Sequence, residues 1–424
     1  MKVILKRGAF PKKNVKINIG GSKSESNRLL ILQAQFPDIF IENLSDSDDT
    51  KVLQEGLKIS DGIVHVHHAG TAMRFLTAYF SAKDGVEITL NGSKRMQERP
   101  ISILVDALKN LGADIEYLKN EGFPPLKIKG RNLQEKEVEI NAHVSSQYIS
   151  ALMLIAPMLP EGLKITLKGE ATSVPYIKMT LSLLENLGIE GVFKKNTITV
   201  SNLPQGKTSV EKIQNTKLTV ESDWSSASYF YSLVALSENC EMTLGKFSEA
   251  VSAGSQESLQ GDSALVQIYD ALGVKTVFDA SDKTISLSKK NIQLPDSLLL
   301  DLSNTPDLAQ TIAVTCFGLG IGCKLTGLHT LKIKETDRLL ALKNELEKLG
   351  ATIQVDLNSL HLEKSSQIKS EQIIETYQDH RMAMAFAPLS LKANLIINDA
   401  EVVSKSYPNF WKDIEKTGVA CEFS

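Results

Sequence analysis

Cysteine is scarce in this chain, and its placement excludes several chemistries. Cys240, Cys316, Cys323 and Cys421 form no C-x-x-C pair, so the spacing matches neither a thiolate metal site nor a dithiol redox motif. They read as buried, reduced thiols in a reducing compartment. Long apolar runs are missing too. The longest, around Ile149–Leu159, falls short of the roughly 20 residues that cross a bilayer. The opening MKVILKRGAFPKKN has too short an apolar stretch for a secretory signal. The expectation is a cytoplasmic protein with no membrane partner. Basic excess is absent: 47 Lys and Arg face 50 Asp and Glu, which argues against a general nucleic-acid binder. No Walker-type loop occurs, and Gly318-Leu319-Gly320 follows no βαβ order, so a dinucleotide fingerprint is unsupported. His65, His67 and His68 cluster without an apparent fourth ligand, and are expected to alternate along a strand. No metal is expected.

What is present is an ordinary globular composition, 42% hydrophobic and 23% charged, over 424 residues. That length predicts two or three domains. Against this background the cations are oddly placed. Lys23 in GGSKSESNR, Arg74 in HAGTAMR, Arg338 in KETDR and Arg381 in QDHRMAMA each fall within the first turn of a predicted helix. A cation there costs about 0.3–1 kcal/mol against the helix dipole. One charge-assisted hydrogen bond contributes about 1.5–3 kcal/mol, enough to offset that. Four such placements beside Gly, Ser, Thr or carboxylates point to small, multiply charged anions as ligands.

A repeated pattern organises the chain: an amphipathic helix, Leu-Gly, then two short strands. It occurs around Leu111-Gly112, Leu187-Gly188, Leu272-Gly273 and Leu349-Gly350, roughly 80 residues apart. Glycine ends each helix in a left-handed turn, and alternation such as Thr284-Ile285-Ser286-Leu287 reads as a hairpin strand. KVLQEGLKISDGIVHVHH is a weaker copy without Leu-Gly. A further strand–helix pair lies between copies, so each unit is roughly βαβαββ, an α/β (α+β) architecture in which sheets share a core of helices. Gly20-Gly21 and the polar stretch 206–216 are the best breaks. They predict an inserted lobe at 20–217. The other, discontinuous lobe would be 1–19 with 218–424, with a cleft between the lobes.

Several segments carry candidate chemistry. Ser22 and Glu25 fit a capping box, and Ser24 and Arg28 share a helix face. Gly70 permits close approach of a ligand to backbone N–H groups. Arg99 is held extended by Pro100. Ser145-Ser146-Gln147 and Ser173-Val174-Pro175-Tyr176 each open a helix. Asp307 in NTPDLAQ, Glu335 beside Lys334, and His380 between Asp379 and Arg381 set proton-moving groups among the cations. A pure anion trap does not need carboxylates; an enzyme that moves protons does. The stacked acids of DSDDTKVL read as an ordinary helix start.

GSKSESNR, AGTAMR, RMQERPI, SSQ, S-x-P-Y, TPD, KETDRL, DHRMAMA and Lys405-Ser406-Tyr407-Pro408 occur in one order across the chain. Together they resemble the enolpyruvyl-transferase family, most closely its branch that acts on shikimate 3-phosphate. The resemblance implies a two-lobed inside-out α/β barrel with three βαβαββ units per lobe, monomeric and without a cofactor. It implies transfer of the enolpyruvyl group of phosphoenolpyruvate to the 5-hydroxyl of shikimate 3-phosphate, releasing phosphate, a step of aromatic amino-acid biosynthesis. Residues matching the shikimate 3-phosphate set are Lys23, Ser24, Arg28, Ser145, Ser146, Gln147, Ser173, Tyr176, Asp307, Thr330 and Lys334. Those matching the phosphoenolpyruvate set are Lys23, Gly70, Arg99, Gln147, Arg338, Arg381 and Lys405. Asp307 matches an acceptor for the hydroxyl proton, Glu335 a donor to the methylene carbon, and Lys23 a further proton shuttle.

The chain departs from the family pattern at His68 and Thr330, where Asn is common, at Val174 in place of Lys, and at Gly20 in place of Pro. The Thr330 change puts one shikimate contact in question. Gly70 matches the glyphosate-sensitive form. Two other readings were weighed. A UDP-N-acetylglucosamine enolpyruvyl transferase would carry a cysteine in its mobile loop, and the matching segment 91–100 has none. A non-catalytic anion- or RNA-binding repeat protein fits poorly with balanced charge and with Asp307 and Glu335 among the cations.

Overall fold

The computed structural model describes residues 1–7, 14–143, 145–202, 213, 216–247 and 258–424. The chain forms two compact units: Met1–Gly20 with Glu221–Ser424, and Gly21–Val220. Most of the polar stretch read as a break, 206–216, lies outside the described residues. Residues 218–220 fall with the inserted unit because the strand Lys217–Thr219 pairs in parallel with Phe40–Glu42 of that unit. Gly21 allows this join. A Cβ there would lie 1.8 Å from the Asn43 carbonyl oxygen, so no side chain fits.

Among the described residues, one strand order recurs in five four-stranded sheets. In the inserted unit, Asp61–His65 lies parallel to Glu87–Asn91. Leu126–Lys129 then pairs antiparallel with Glu87–Asn91, and Asp114–Tyr117 pairs with Leu126–Lys129. The second sheet repeats the scheme with Glu137–Asn141, Leu163–Lys168, Thr197–Val200 and Gly191–Lys194. The other unit has three such sheets, built on the parallel pairs Val15–Ile17 with Glu241–Gly245, Ser297–Asp301 with Gly322–Thr326, and Gln372–Ile374 with Leu395–Ile397. In the last of these, Val3–Leu5 supplies the third strand and Cys421–Phe423 the fourth.

The local cause is visible in sequence. Each parallel pair needs a crossover helix, and each Leu-Gly then ends a second helix ahead of the hairpin. Gly112, Gly188, Gly273 and Gly350 all have positive φ, from 75° to 99°. The weaker copy behaves differently. Its helix Asp48–Leu57 runs directly to Asp61–His65, which opens the next sheet instead of forming a hairpin. Without Leu-Gly there is no C-terminal turn to start one.

Within each unit the helices form the core and the sheets its cover. Glu137–Asn141 and Leu163–Lys168 alternate buried and exposed residues, the signature of a sheet with one solvated face. Three central helices are buried on nearly every face, as YISALMLI requires. Gly70–Ala82 is buried at every residue except Thr71, Ser146–Ile155 except Gln147, and Trp224–Leu236 except Ser225. In each case the exception lies in the first turn. Truncating a core leucine such as Leu152 to alanine would cost about 2–5 kcal/mol. Among the described residues no helix is long and apolar enough to cross a membrane.

Candidate active site

In the inserted unit the first turns of several helices converge. Arg28, in the helix Lys23–Gln35, is fully buried. Its Nε donates to Thr180 Oγ1 at 2.8 Å, one terminal nitrogen to the Ser24 carbonyl at 2.8 Å, and the other to Ser150 Oγ at 2.9 Å. The rings of Phe75 and Tyr176 lie 5.4 and 5.6 Å from its guanidinium carbon. These partners are neutral, and among the described residues no carboxylate lies within ion-pair distance. Glu25 acts only at longer range, and burial lowers the Arg28 pKa to about 10. Arg28 remains cationic at neutral pH, with its charge left for a ligand to balance.

Ser145 and Ser173 occupy the N-cap positions of the helices that supply Ser150 and Thr180. Ser145 Oγ accepts from the Gln147 N–H at 3.3 Å. Ser173 has φ 54° and ψ 46°, left-handed for a non-glycine residue, and its side chain makes no cap bond to its own helix. Such backbone costs of order 1–3 kcal/mol and clusters at functional sites. Ser146 and Ser173 are buried, while Tyr176 offers its carbonyl to Thr180 Oγ1 at 2.8 Å. Gln147 Nε2 reaches Thr71 Oγ1 at 3.1 Å, so the single non-buried residues of two otherwise buried helices meet beside Gly70.

Gly70 and Arg99 are in contact. A Cβ on Gly70 would lie 2.6 Å from a terminal nitrogen of Arg99. Arg74 proves to be a clasp for this region. It donates to the carbonyls of Gly70 and Pro100, both at 3.2 Å, and Tyr148 Oη donates to the same Pro100 carbonyl at 2.6 Å. These carbonyls hold the guanidinium in place at the helix start. Lys23 is ion-paired with Asp49 at 2.9 Å. Asp49 belongs to the acid run read as an ordinary helix start; only the tertiary fold brings it to Lys23. The histidines do not alternate along a strand. The strand ends at His65, His67 has φ 48°, and His68 Nδ1 shares a hydrogen bond with Ser93 Oγ at 2.8 Å. Among the described residues no group of His, Cys, Asp and Glu is arranged to hold a metal.

The second unit carries a charged cluster around Asp307, in the turn Pro306–Leu308. Arg338 donates from one terminal nitrogen to Asp307 Oδ1 at 2.8 Å, from the other to Glu335 Oε2 at 2.8 Å, and from Nε to Asp379 Oδ2 at 2.6 Å. Arg381 donates to Asp307 Oδ2 at 3.1 Å, and Lys334 Nζ lies 3.6 Å from Oδ1. Burial alone would raise the Asp307 pKa. Arg381, Lys334 and Arg338 together outweigh it and hold the carboxylate well below its usual range. The three carboxylates likewise overcome burial to keep Arg338 cationic. Burial lowers the Lys334 pKa, and Asp307 opposes that shift.

Asp379 caps the helix His380–Phe386 and accepts from the Arg381 N–H at 2.8 Å. It follows Tyr377 and Gln378, both at positive φ. Lys405 Nζ donates to the Gln378 carbonyl at 2.9 Å, which ties the turn Ala400–Lys405 to this bend. Thr330 is buried in the turn His329–Ile333, and its Oγ1 has no hydrogen-bond partner among the described residues. Ser225 and Asp262 also belong here and carry no sequence motif that marks them. Ser225 Oγ donates to Asp262 Oδ2 in a very short contact and lies 3.3 Å from Arg381.

Structural comparison places the fold. It matches EPSP synthase from Acinetobacter baumannii with a TM-score of 0.74 at 19% identity, covering 100% of this chain and 99% of that one. It matches the enolpyruvyl transferase NikO from Streptomyces tendae with a TM-score of 0.71 at 14% identity, covering 100% and 98%. The architecture is that of the enolpyruvyl transferases. In sequence, the model of the family described as EPSP synthase (3-phosphoshikimate 1-carboxyvinyltransferase) matches residues 55–414. A 3-phosphoshikimate 1-carboxyvinyltransferase of Bacteroides fragilis is 44% identical over 409 residues, 95% of each chain. One of Mannheimia haemolytica is 34% identical, over 95% of this chain and 96% of its own. The chain belongs to the EPSP synthase family.

Proposed function

We propose that this enzyme transfers the enolpyruvyl group of phosphoenolpyruvate to the 5-hydroxyl of shikimate 3-phosphate. The observation that carries the reading is the pairing of two opposite electrostatic designs. Arg28 is a buried cation held by neutral acceptors, suited to a phosphate dianion. Asp307 is a carboxylate that three cations hold in its ionised, proton-accepting form; those cations also weaken it as a base, and phosphoenolpyruvate drawing Arg338 and Arg381 toward its own charges would restore its basicity.

In this reading Ser24, Arg28, Ser145, Ser146, Ser173, Tyr176, Thr330 and Lys334 hold shikimate 3-phosphate, and Gln147 touches both substrates. Lys23, Gly70, Arg99, Arg338, Arg381 and Lys405 hold phosphoenolpyruvate, whose phosphate and carboxylate call for several fixed cations. Protonation of the methylene carbon, with Glu335 as donor once it has taken a proton from solvent and left its ion pair with Arg338, creates a cationic centre. The 5-hydroxyl attacks it while Asp307 takes the hydroxyl proton. The tetrahedral adduct then expels phosphate, and loss of a methyl proton restores the enol double bond. Atoms balance without a metal or organic cofactor. The protein would act as a monomer in the cytoplasm.

Mass spectrometry of a reaction containing both substrates tests this. The expected product is an enolpyruvyl ether of shikimate 3-phosphate. Recovery of both substrates unchanged would overturn the assignment.

A further inference from the structure

The helix Trp224–Leu236 has one residue that is not buried, Ser225, in the same first-turn position that Thr71 and Gln147 hold in their helices. Ser225 stands between two charges. Its hydroxyl donates to Asp262 Oδ2, and its oxygen lies 3.3 Å from a terminal nitrogen of Arg381. A serine hydroxyl has one proton. Because that proton goes to Asp262, the lone pairs of Oγ are free to accept from Arg381. The same Arg381 nitrogen donates to Asp307 Oδ2 at 3.1 Å. The chain Asp262–Ser225–Arg381–Asp307 therefore runs through four elements: the turn Gly261–Ala264, the helix Trp224–Leu236, the helix His380–Phe386 and the turn Pro306–Leu308.

Asp262 is 4% exposed, and among the described residues it has no cation in direct ion-pair contact. A buried carboxylate without a direct cationic partner is costly, so its retention needs a reason. The Asp223 side chain is already committed to the Ser226 N–H at 2.7 Å as the helix cap, so Asp262 is not required for capping. Arg381 has a demanding task. When Asp307 accepts a proton, the guanidinium loses the charge of one of its partners. A second anchor that does not take part in proton transfer would hold it in place.

We infer that Asp262 and Ser225 are positioning residues that fix the Arg381 guanidinium beside Asp307, with Asp262 acting through the orientation of the Ser225 hydroxyl. The inference rests on the proposed role of Arg381 toward phosphoenolpyruvate.

The test is a double-mutant cycle in steady-state kinetics. Ser225→Ala and Asp262→Asn should each raise KM for phosphoenolpyruvate by about tenfold, the scale of one hydrogen bond to a charged group. KM for shikimate 3-phosphate should change little, and Ser225→Thr, which keeps the hydroxyl, should restore the value. Because Asp262 works through Ser225, adding Asp262→Asn to Ser225→Ala should change KM no further. Additive effects, or equal losses for both substrates, would overturn the inference and leave only a structural role. Arg381→Gln separates the two levels. If it raises KM for phosphoenolpyruvate while the Ser225 and Asp262 variants do not, the anchor fails and the reading of Arg381 stands. If it has no effect, both fail.

Discussion

Arg338 and Asp307 meet at 2.8 Å, yet neither belongs to the other alone. Arg338 also grips Glu335 and Asp379, while Asp307 also receives Arg381. The pair sits inside a lattice of alternating charge.

Asp307→Ala should lower turnover by about 10²–10⁴-fold, the usual contribution of a positioned general base. It should do so with the fold retained, as judged by circular dichroism. Near-normal turnover would remove Asp307 from the chemistry.

Arg28→Met should separate function from stability. The substitution removes the buried charge with its hydrogen bonds to Thr180, Ser24 and Ser150 and its guanidinium contacts with Phe75 and Tyr176, so unfolding free energy should fall by about 1–3 kcal/mol. Affinity for shikimate 3-phosphate should fall by about 100-fold or more, given the strength of charge-assisted hydrogen bonds. Calorimetric titration and thermal melting report the two quantities independently. A variant that binds normally would contradict the phosphate assignment.

Gly70→Ala should leave the fold intact, because the clash falls on the flexible end of Arg99. Moving that guanidinium should raise KM for phosphoenolpyruvate by about tenfold, with less effect on shikimate 3-phosphate. In the parent protein glyphosate should compete with phosphoenolpyruvate. Turnover that persists at glyphosate levels far above that KM would argue against this.

Asp262 predicts a pH dependence of stability. Burial first, then Asp307, raise its carboxyl to about 6, with Arg381 and Ser225 opposing. Between roughly 4, the unfolded value, and about 6, the folded protein binds more protons than the unfolded chain. This contribution is present in full below that window and is lost as pH rises through it. Asp262→Asn lacks the term. Its melting temperature relative to the parent should therefore improve between pH 4 and pH 7; a constant difference would place the Asp262 pKa elsewhere.

Much of this was legible from residues alone, and the limits have physical causes. Leu-Gly followed by alternating residues marks helix, turn and hairpin, because both signals are local. Sheet membership is not local. Val15–Ile17 pairs with Met242–Leu244 across the whole inserted unit, and Val3–Leu5 completes a sheet with the last strand of the chain. The anomalous cations drew attention to helix starts where polar groups gather, but only the structure shows that Arg74 is held there by backbone carbonyls. Asp49, Ser225 and Asp262 gave no sequence signal. An aspartate at a helix start or a serine in a first turn is unremarkable until tertiary packing shows what it touches.

The central claim is that these charge clusters serve one pair of substrates. Phosphate release should be measured with phosphoenolpyruvate and either shikimate 3-phosphate or UDP-N-acetylglucosamine as acceptor. Release should be rapid with shikimate 3-phosphate and at background with the UDP-sugar. Background release with shikimate 3-phosphate, or preference for the UDP-sugar, would contradict it.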